Sequence, residues 1–208
     1  MGEFERASPF FSALFWISRP FLVGLFRLRA CGLEHVPREG GFVVAANHTS
    51  NLDPWPLAIP LYPRQVHYMA KAELYRNPVF RWILEKGGAF PVRRGERDSE
   101  AFKAAVRYAR RGGVVAMFPE GTRRAKGIRK KYVATPRLGA ARIALAAGVP
   151  LVPAAIAGTD RLARLAPIRV AYGAPIEMAA LDGRTRRETA QAAIERLMEE
   201  ISRLEASL

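Results

Sequence analysis

Short apolar runs alternate with helical patterns along most of this chain, and that alternation limits the folds it can adopt. The runs with the length and composition of strands are residues 32–36, 42–46, 66–70, 89–92, 114–118, 151–157 and 168–172. The segments with helical spacing of their apolar residues are 55–61, 78–86, 98–110, 137–147 and 185–204. Strands that alternate with helices form a sheet with helices packed on its faces. We therefore predict an α/β domain with a mixed, largely parallel sheet flanked by helices.

The first thirty residues differ from the rest because two aromatic-rich apolar runs, 10–17 and 21–26, stand on either side of Arg19-Pro20. A membrane-spanning helix needs about 20 mainly apolar residues, and neither run reaches that length. Acidic residues near the start and the lack of a small-residue cleavage pattern do not fit a secretory signal. We predict that residues 1–29 form a pair of short helices lying in the membrane interface, ahead of one domain over residues 30–208. The alternative is a helix packed on the domain's own core.

The charge of the chain requires an anionic counterpart. A chain of 208 residues carries 33 Lys and Arg against 19 Asp and Glu, a net charge of +14. Nucleic acid and anionic membrane are the two obvious partners, and the sequence contains none of the common nucleic-acid-binding motifs. We predict an anionic membrane surface as a partner and no nucleic acid.

Cysteine and histidine are scarce. Cys31 is the single cysteine, which excludes an intramolecular disulfide and any multi-cysteine metal site and is compatible with a reducing compartment. His35 and His67 lack a motif of the kind that surrounds the third histidine, described below, so we interpret both as structural or surface residues. We predict no metal and no cofactor.

The segment 47–53 reads NHTSNLD and places a carboxylate five residues after a histidine. Histidine suits proton transfer near neutral pH, and a carboxylate bonded to one ring nitrogen leaves the other nitrogen free to accept a proton. Pro54 suits the first helical position and Asp53 the cap before it, in a non-helical conformation. We therefore expect His48 to lie in a loop that folds back over Asp53, as a base and its orienting carboxylate. A helix-capping Asp53 and a structural His48 are the alternatives.

A second segment, 118–123, reads FPEGTR and offers groups suited to an anion. Arginine presents a planar fork that matches a phosphate better than lysine does, so Arg123 is the first candidate and Arg93 the second. Gly121 allows the backbone to approach a ligand and leaves room for Thr122 to turn inward. The alternatives are a solvated surface arginine and a simple Pro-Glu-Gly turn.

These two segments together resemble the signature of the phospholipid/glycerol acyltransferase family, Asn-His with Asp five residues on, followed by Pro-Glu-Gly-Thr-Arg. Two weaker blocks of that family also fit: residues 88–94, GAFPVRR, and residues 149–156, VPLVPAAI. All four blocks stand in the family's order.

The resemblance implies a reaction and a set of site residues. A fatty acyl group would move from a thioester of coenzyme A or acyl carrier protein to the free hydroxyl of 1-acylglycerol-3-phosphate, giving phosphatidic acid. His48 would remove the hydroxyl proton with help from Asp53, and no Ser or Cys nucleophile is needed. The expected substrate-binding residues are Arg93, Glu120, Gly121, Thr122 and Arg123, of which Glu120 is assigned from the resemblance alone.

The resemblance also implies a location, and several alternatives stay open. The enzyme is expected to be peripheral or monotopic at the cytoplasmic face of the membrane, with a lysophospholipid as acceptor. An acidic carrier protein would dock on a basic face such as segment 123–131, but anionic lipid or a nucleotide phosphate would explain the same charge. The alternative functions are acyl transfer to another lysolipid or an amine-containing lipid, and non-catalytic membrane binding. The His48 and Asp53 pair argues against the last.

Overall fold

The computed structural model describes residues 3–93, 98–120, 136–181, 183 and 185–208. These residues form a seven-stranded sheet in the order β1-β7-β6-β2-β5-β3-β4. The strands are β1 Arg29–Cys31, β2 Phe42–Ala46, β3 Val66–Lys71, β4 Ala89–Val92, β5 Val114–Met117, β6 Leu151–Ala157 and β7 Arg169–Tyr172. Neighbouring strands are parallel except β6 and β7, which are antiparallel. The predicted mixed, largely parallel sheet is confirmed.

Helices cover both faces of this sheet. They are α1 Pro9–Pro20, α2 Pro54–Ala58, α3 Pro78–Lys86, α4 Ser99–Arg110, α5 Gly139–Ala147 and α6 Arg186–Ser207. The central strand β2 is buried throughout: Phe42 and Val44 pack with α1 and α2, whereas Val43 and Ala45 pack with α4, α5 and α6. Because side chains alternate along a strand, β2 separates two hydrophobic cores, one on each face.

Two predicted elements are wrong in detail. Residues 32–36 do not form the predicted strand; the strand in this region is β1, which ends at Cys31. Gly32 has a φ of +74° and turns the chain into a 3-10 helix, Leu33–His35. A side chain at Gly32 would collide with the carbonyl oxygen of Tyr172, so the position requires glycine. The helix predicted at 55–61 is α2 followed by a 3-10 helix, Ile59–Leu61, because Pro60 has no N–H with which to continue the α-helical pattern.

The N-terminal segment combines features of both interpretations of it. Phe11 and Phe15 are buried in the core beneath α1, and the ring of Phe15 stacks on Tyr62 with centroids 3.9 Å apart. Trp16 and Phe21 point away from this core and are 59% and 60% exposed. The two apolar runs are also not separate helices, since α1 continues directly into a π-helical turn, Phe21–Leu25. One face of the segment is therefore core packing and the other is an exposed apolar surface.

None of the helices within the described residues is long and apolar enough to cross a membrane.

Candidate active site

The candidate site lies where three neighbouring strands end. The strands β6, β2 and β5 are adjacent, and both outer strands run parallel to β2. His48 follows β2, Phe118 and Glu120 follow β5, and Thr159 follows β6. Ligands of open α/β sheets bind outside the carboxyl ends of the strands, which is where these side chains meet.

His48 and Asp53 are in direct contact. The Nδ1 atom of His48 lies 2.8 Å from the Oδ2 atom of Asp53, and both side chains are buried. A carboxylate at Nδ1 holds the proton of the neutral imidazole there, which leaves the lone pair of Nε2 available. The sequence predicted this contact from the loop between β2 and α2, and the structure contains it.

Four hydrogen bonds from described residues surround the carboxylate of Asp53. Besides His48, the Oδ2 atom accepts the backbone N–H groups of Thr49 and Ser50, at 2.6 and 2.7 Å. The Oδ1 atom accepts the hydroxyl of Thr159 at 2.5 Å. Burial raises the pKa of Asp53, but the hydrogen bonds from His48, Ser50, Thr159 and Thr49 together outweigh it and hold the pKa below its ordinary value. The carboxylate is therefore ionised at neutral pH.

The expected capping role of Asp53 is wrong. Its side chain makes no hydrogen bond to the start of α2, and its backbone is helical, with φ −50° and ψ −39°, although Pro54 follows it. The carboxylate points back along the chain to Thr49 and Ser50 instead. This backward-turned side chain organises the loop that contains His48. The start of α2 needs no side-chain cap at its first position, because Pro54 has no backbone N–H there.

Thr159 is a site residue that the sequence analysis missed. It is buried, it donates to Asp53, and its hydroxyl lies 3.0 Å from that of Thr49. Its sequence signal was weak: a threonine after a glycine at the end of an apolar strand, 106 residues from Asp53. Only the adjacency of β6 and β2 in the sheet brings the two residues together.

Replacing Thr159 with valine removes this hydroxyl without removing much volume. We expect a loss of about 1–3 kcal/mol in the free energy of unfolding, because one oxygen of a buried carboxylate loses its donor. We also expect kcat to fall by roughly tenfold while KM stays nearly constant, since the carboxylate that orients His48 is less well held. Thr159→Ser restores the hydroxyl and should recover both values. Denaturant unfolding and steady-state kinetics test this, and an unchanged kcat in a folded Thr159→Val protein would remove Thr159 from the site.

Asn47 fixes the loop from the other side. Its amide oxygen accepts the N–H of Ile156 at 2.8 Å, and its amide nitrogen donates to the carbonyl of the same residue at 2.9 Å. The amide nitrogen also lies 2.7 Å from Oε1 of Glu205 near the end of α6. The side chain therefore continues the pairing of β2 with β6 beyond the last residue of β2, and it sets the direction in which the chain enters His48.

The second motif also reaches the site, through Phe118. The ring of Phe118 stacks on the imidazole of His48, with centroids 4.2 Å apart and planes 21° apart. Glu120 is buried two residues later. The structure thus brings the start of the FPEGTR segment to the histidine. The other predicted substrate-binding residues of this segment, Gly121, Thr122 and Arg123, and the basic segment 123–131 lie outside the described residues.

Arg93 lies farther from His48. It follows β4, which is three strands from β2 in the sheet, a separation of about 14 Å at the usual strand spacing. Its side chain is exposed and lines a cavity of about 610 Å³ next to the start of α4. Its backbone N–H donates to Asp98 at 2.9 Å. At that separation, Arg93 and His48 could contact the same substrate only if it is extended.

The remaining histidines and the apolar residues of α2 have structural contacts. Nδ1 of His35 lies 3.1 Å from the carbonyl oxygen of Tyr172, and Nε2 of His67 lies 3.0 Å from Oε2 of Glu5. Leu57 is fully buried, and the indole of Trp55 packs on Phe11 and donates to Ser18. The contacts of His67 and Trp55 join the N-terminal segment to β3 and α2.

The arrangement can perform proton transfer. Among the described residues, the hydrogen bonds of the His48 ring use Nδ1 and not Nε2. A neutral imidazole with an ionised carboxylate on one nitrogen accepts a proton at the other and becomes a stabilised imidazolium. Phe118 covers one face of the ring, so an incoming hydroxyl must approach Nε2 at the ring edge.

Comparisons with known proteins agree with the resemblance predicted from the sequence. A protein-family model described as Acyltransferase matches residues 27–157. A 1-acyl-sn-glycerol-3-phosphate acyltransferase from Bacillus subtilis is 33% identical over 178 residues, which cover 84% of this chain and 86% of that protein. A lyso-ornithine lipid O-acyltransferase from Pseudomonas aeruginosa is 34% identical over 108 residues, 51% of this chain and 40% of that protein.

A solved structure shares the fold. The crystal structure of the 1-acyl-sn-glycerophosphate acyltransferase PlsC from Thermotoga maritima aligns with a TM-score of 0.66 at 24% identity and covers 93% of this chain and 79% of that one. Together with the family match over 27–157 and the Bacillus relative, the predicted resemblance is confirmed. The chain belongs to the acyltransferase family.

Proposed function

We propose that the protein is a 1-acylglycerol-3-phosphate acyltransferase that moves a fatty acyl group from a thioester donor to the free hydroxyl of the acceptor, giving phosphatidic acid. The observation that carries this proposal is the contact of 2.8 Å between Nδ1 of His48 and Asp53, which leaves Nε2 without a hydrogen bond to any described residue. We choose this acceptor because the name of the Bacillus relative states it, and the match between the two proteins covers most of each chain.

The reaction needs one base and a route for one proton. Nε2 of His48 takes the proton of the acceptor hydroxyl as its oxygen attacks the thioester carbonyl carbon, forming a C–O bond. The tetrahedral intermediate then expels the thiolate as the C–S bond breaks, and the imidazolium returns the proton to the sulfur. Asp53 stays ionised throughout and stabilises the positive charge on the ring. The products are an ester and a free thiol, and the imidazole of His48 is neutral again.

The acceptor's phosphate needs fixed cations near this base. Arg123 is our first candidate for it, Arg93 the second, and Gly121 and Thr122 would shape the backbone around it. Glu120 is buried two residues after Phe118, which stacks on His48, and this position suits a carboxylate that accepts a hydrogen bond from the glycerol part of the acceptor. These assignments rest on the motif and on the position of its described part next to His48.

Arg93→Lys tests the phosphate assignment within the described residues. Lysine keeps the charge but loses the planar fork, so we expect KM for the acceptor to rise roughly fivefold with kcat and the donor KM nearly unchanged. Arg203→Lys, on an exposed arginine of α6, serves as the matched control and should change neither. Steady-state kinetics with each substrate varied in turn measures both constants. An unaltered acceptor KM in Arg93→Lys would leave the phosphate to Arg123.

The donor is a thioester of coenzyme A or of acyl carrier protein, and both stay in the proposal. The family includes a relative that acts on a lyso-ornithine lipid, so an amine-containing lysolipid is the second candidate acceptor. Purified protein should be incubated with each donor and with lysophosphatidate, lysophosphatidylcholine and a lyso-ornithine lipid, while free thiol is measured. We expect the highest kcat/KM with lysophosphatidate. A preference for the lyso-ornithine lipid would assign the second acceptor.

We also propose that the enzyme is peripheral at the cytoplasmic face of the membrane, with the segment 1–29 as its anchor. The exposed apolar face of α1 and of the following π-helical turn supports this, as does the net charge of +14 on an anionic surface. Because Phe11 and Phe15 belong to the core, deletion of residues 1–29 would also uncover that core. Substitutions on the exposed face are therefore the sharper test.

A further inference from the structure

The helix α3, Pro78–Lys86, turns its large apolar side chains outward. Val79, Phe80, Trp82 and Ile83 are 63%, 57%, 53% and 40% exposed, and no residue of the helix is buried. A helix on a globular protein normally directs its apolar stripe toward the core. The exposed apolar side of α3 is therefore not explained by packing among the described residues.

These four residues form one continuous surface. At 3.6 residues per turn they occupy an arc of about 160°. The ion pair between Arg81 and Glu85, at 2.9 Å, lies on the opposite side of the helix. Lys86, the last residue of the helix, falls within the same arc and is exposed. This is the pattern of an amphipathic helix whose apolar face requires an apolar environment outside the domain.

The apolar side of α3 is joined to that of α1. The ring of Phe10 meets that of Trp82 edge to face, with centroids 5.0 Å apart. The hydroxyl of Ser8, at the start of α1, donates to the backbone carbonyl of Lys86 at 3.3 Å. The start of α1 and the end of α3 are thus in contact, although about seventy residues separate them in the chain.

We propose that α3 is a second membrane-contacting element, which enters the lipid interface next to α1. The apolar membrane face then consists of Val79, Phe80, Trp82 and Ile83 of α3 together with Trp16, Ile17 and Phe21 of the N-terminal segment. The proposal takes lipid as the partner from the proposed function, but it assigns a contact outside the segment 1–29 and its test does not depend on acyl transfer.

Composition and charge at this face favour lipid over a protein partner. Tryptophan and phenylalanine suit the level of the lipid headgroups, where an aromatic ring is apolar on one side and wet on the other. Exposed cations lie next to these apolar residues and match an anionic headgroup layer: Arg19 in the last turn of α1, Arg76 just before α3 and Lys86 at its end. Their alkyl stems can lie along apolar surface while the charges stay in water.

The first test measures how deeply α3 lies in the membrane. Trp16→Phe combined with Trp55→Phe leaves Trp82 as the single tryptophan of the full-length protein. The protein is mixed with vesicles of phosphatidylglycerol and phosphatidylcholine that carry bromine at defined depths on the acyl chains. We expect a blue shift of the Trp82 emission and quenching by the shallow acyl-chain bromines. Unquenched Trp82 in protein that sediments with the same vesicles would overturn the proposal.

The second test makes part of the apolar face of α3 polar. The double substitution Val79→Ser and Phe80→Ser should weaken vesicle binding by about tenfold, since two apolar side chains no longer leave water. Leu33→Ser is the matched control, because Leu33 is also exposed but follows β1 at the opposite edge of the sheet. It should bind like the unmodified protein. Circular dichroism establishes that each variant is folded, and unchanged binding by the folded double variant contradicts the proposal.

Light scattering and a soluble assay distinguish lipid contact from self-association and from a failure of the proposed function. If the surface joined two copies of this chain, light scattering would show a dimer that the double substitution converts to a monomer without loss of vesicle binding, and the proposal would be wrong. Acyl transfer to a short-chain acceptor in free solution should be unchanged in the double variant. If transfer fails in the unmodified protein while Trp82 is still quenched, the proposed function is wrong and the membrane contact of α3 stands.

Discussion

Replacing His48 with alanine is expected to lower kcat by about 10³- to 10⁴-fold, since the acceptor hydroxyl loses the base that removes its proton. The fold should survive, because the histidine lies in a loop beyond β2 and contributes one ring contact, to Phe118. Thiol release from an acyl thioester in the presence of lysophosphatidate measures the effect.

The control for this experiment is His35→Ala. His35 is a second histidine with a backbone partner, the carbonyl of Tyr172, and it is far along the sheet from β2. We expect near-normal thiol release from it. If folded His48→Ala also released thiol at the normal rate, His48 would not be the base and the proposed mechanism would fail.

Asp53→Asn is expected to have an effect of similar size, with kcat lower by about 10⁴-fold and KM little changed. An amide can present its N–H to Nδ1 of the ring, which would move the proton to Nε2 and block the nitrogen that must accept one. The comparison of His48→Ala, Asp53→Asn and the double variant is informative because the two residues act as one unit. Their effects should be far from additive.

Asp53→Asn should also change how the free energy of unfolding depends on pH. The pKa of Asp53 is held below its ordinary value of 3.8 in the folded protein by its hydrogen bonds, despite burial. Ionisation of this group therefore stabilises the folded state above that ordinary value, and the contribution is lost as the pH falls through the lower folded pKa. The difference in the free energy of unfolding between the unmodified protein and Asp53→Asn should shrink below pH 3.8. A difference that does not change with pH would mean that the carboxylate is not held as described.

The fold was largely predictable because its elements carry strong local patterns. The strands β2, β5 and β6 are uninterrupted apolar runs, as strands buried on both faces must be. In α6, Thr185 and Glu188 form a capping box, and Ala190, Ala193, Ile194, Leu197 and Ile201 are buried at helical spacing as the sequence indicated. The strand at 32–36 failed because the left-handed turn at Gly32 has no signal beyond the glycine itself.

The site was predictable where its residues are close in the chain. His48 and Asp53 stand five residues apart in one loop, and local chemistry was enough to pair them. Thr159 and Phe118 reach the same loop from neighbouring strands, so their roles depend on the order of strands in the sheet, which the alternation of elements does not specify. The outward face of α3 was missed for a related reason. Its helical period is clear, but only packing decides which side meets the domain.

We propose above that this chain joins an acyl group to a lysophosphatidate hydroxyl through His48. The most direct measurement incubates purified protein with lysophosphatidate and a thioester that carries an isotopically labelled acyl chain, and follows free thiol and lipid product together. We expect one labelled phosphatidic acid for each thiol released, and neither product with His48→Ala. Thiol release without labelled lipid, or labelled phosphatidic acid formed at the normal rate by His48→Ala, would contradict it.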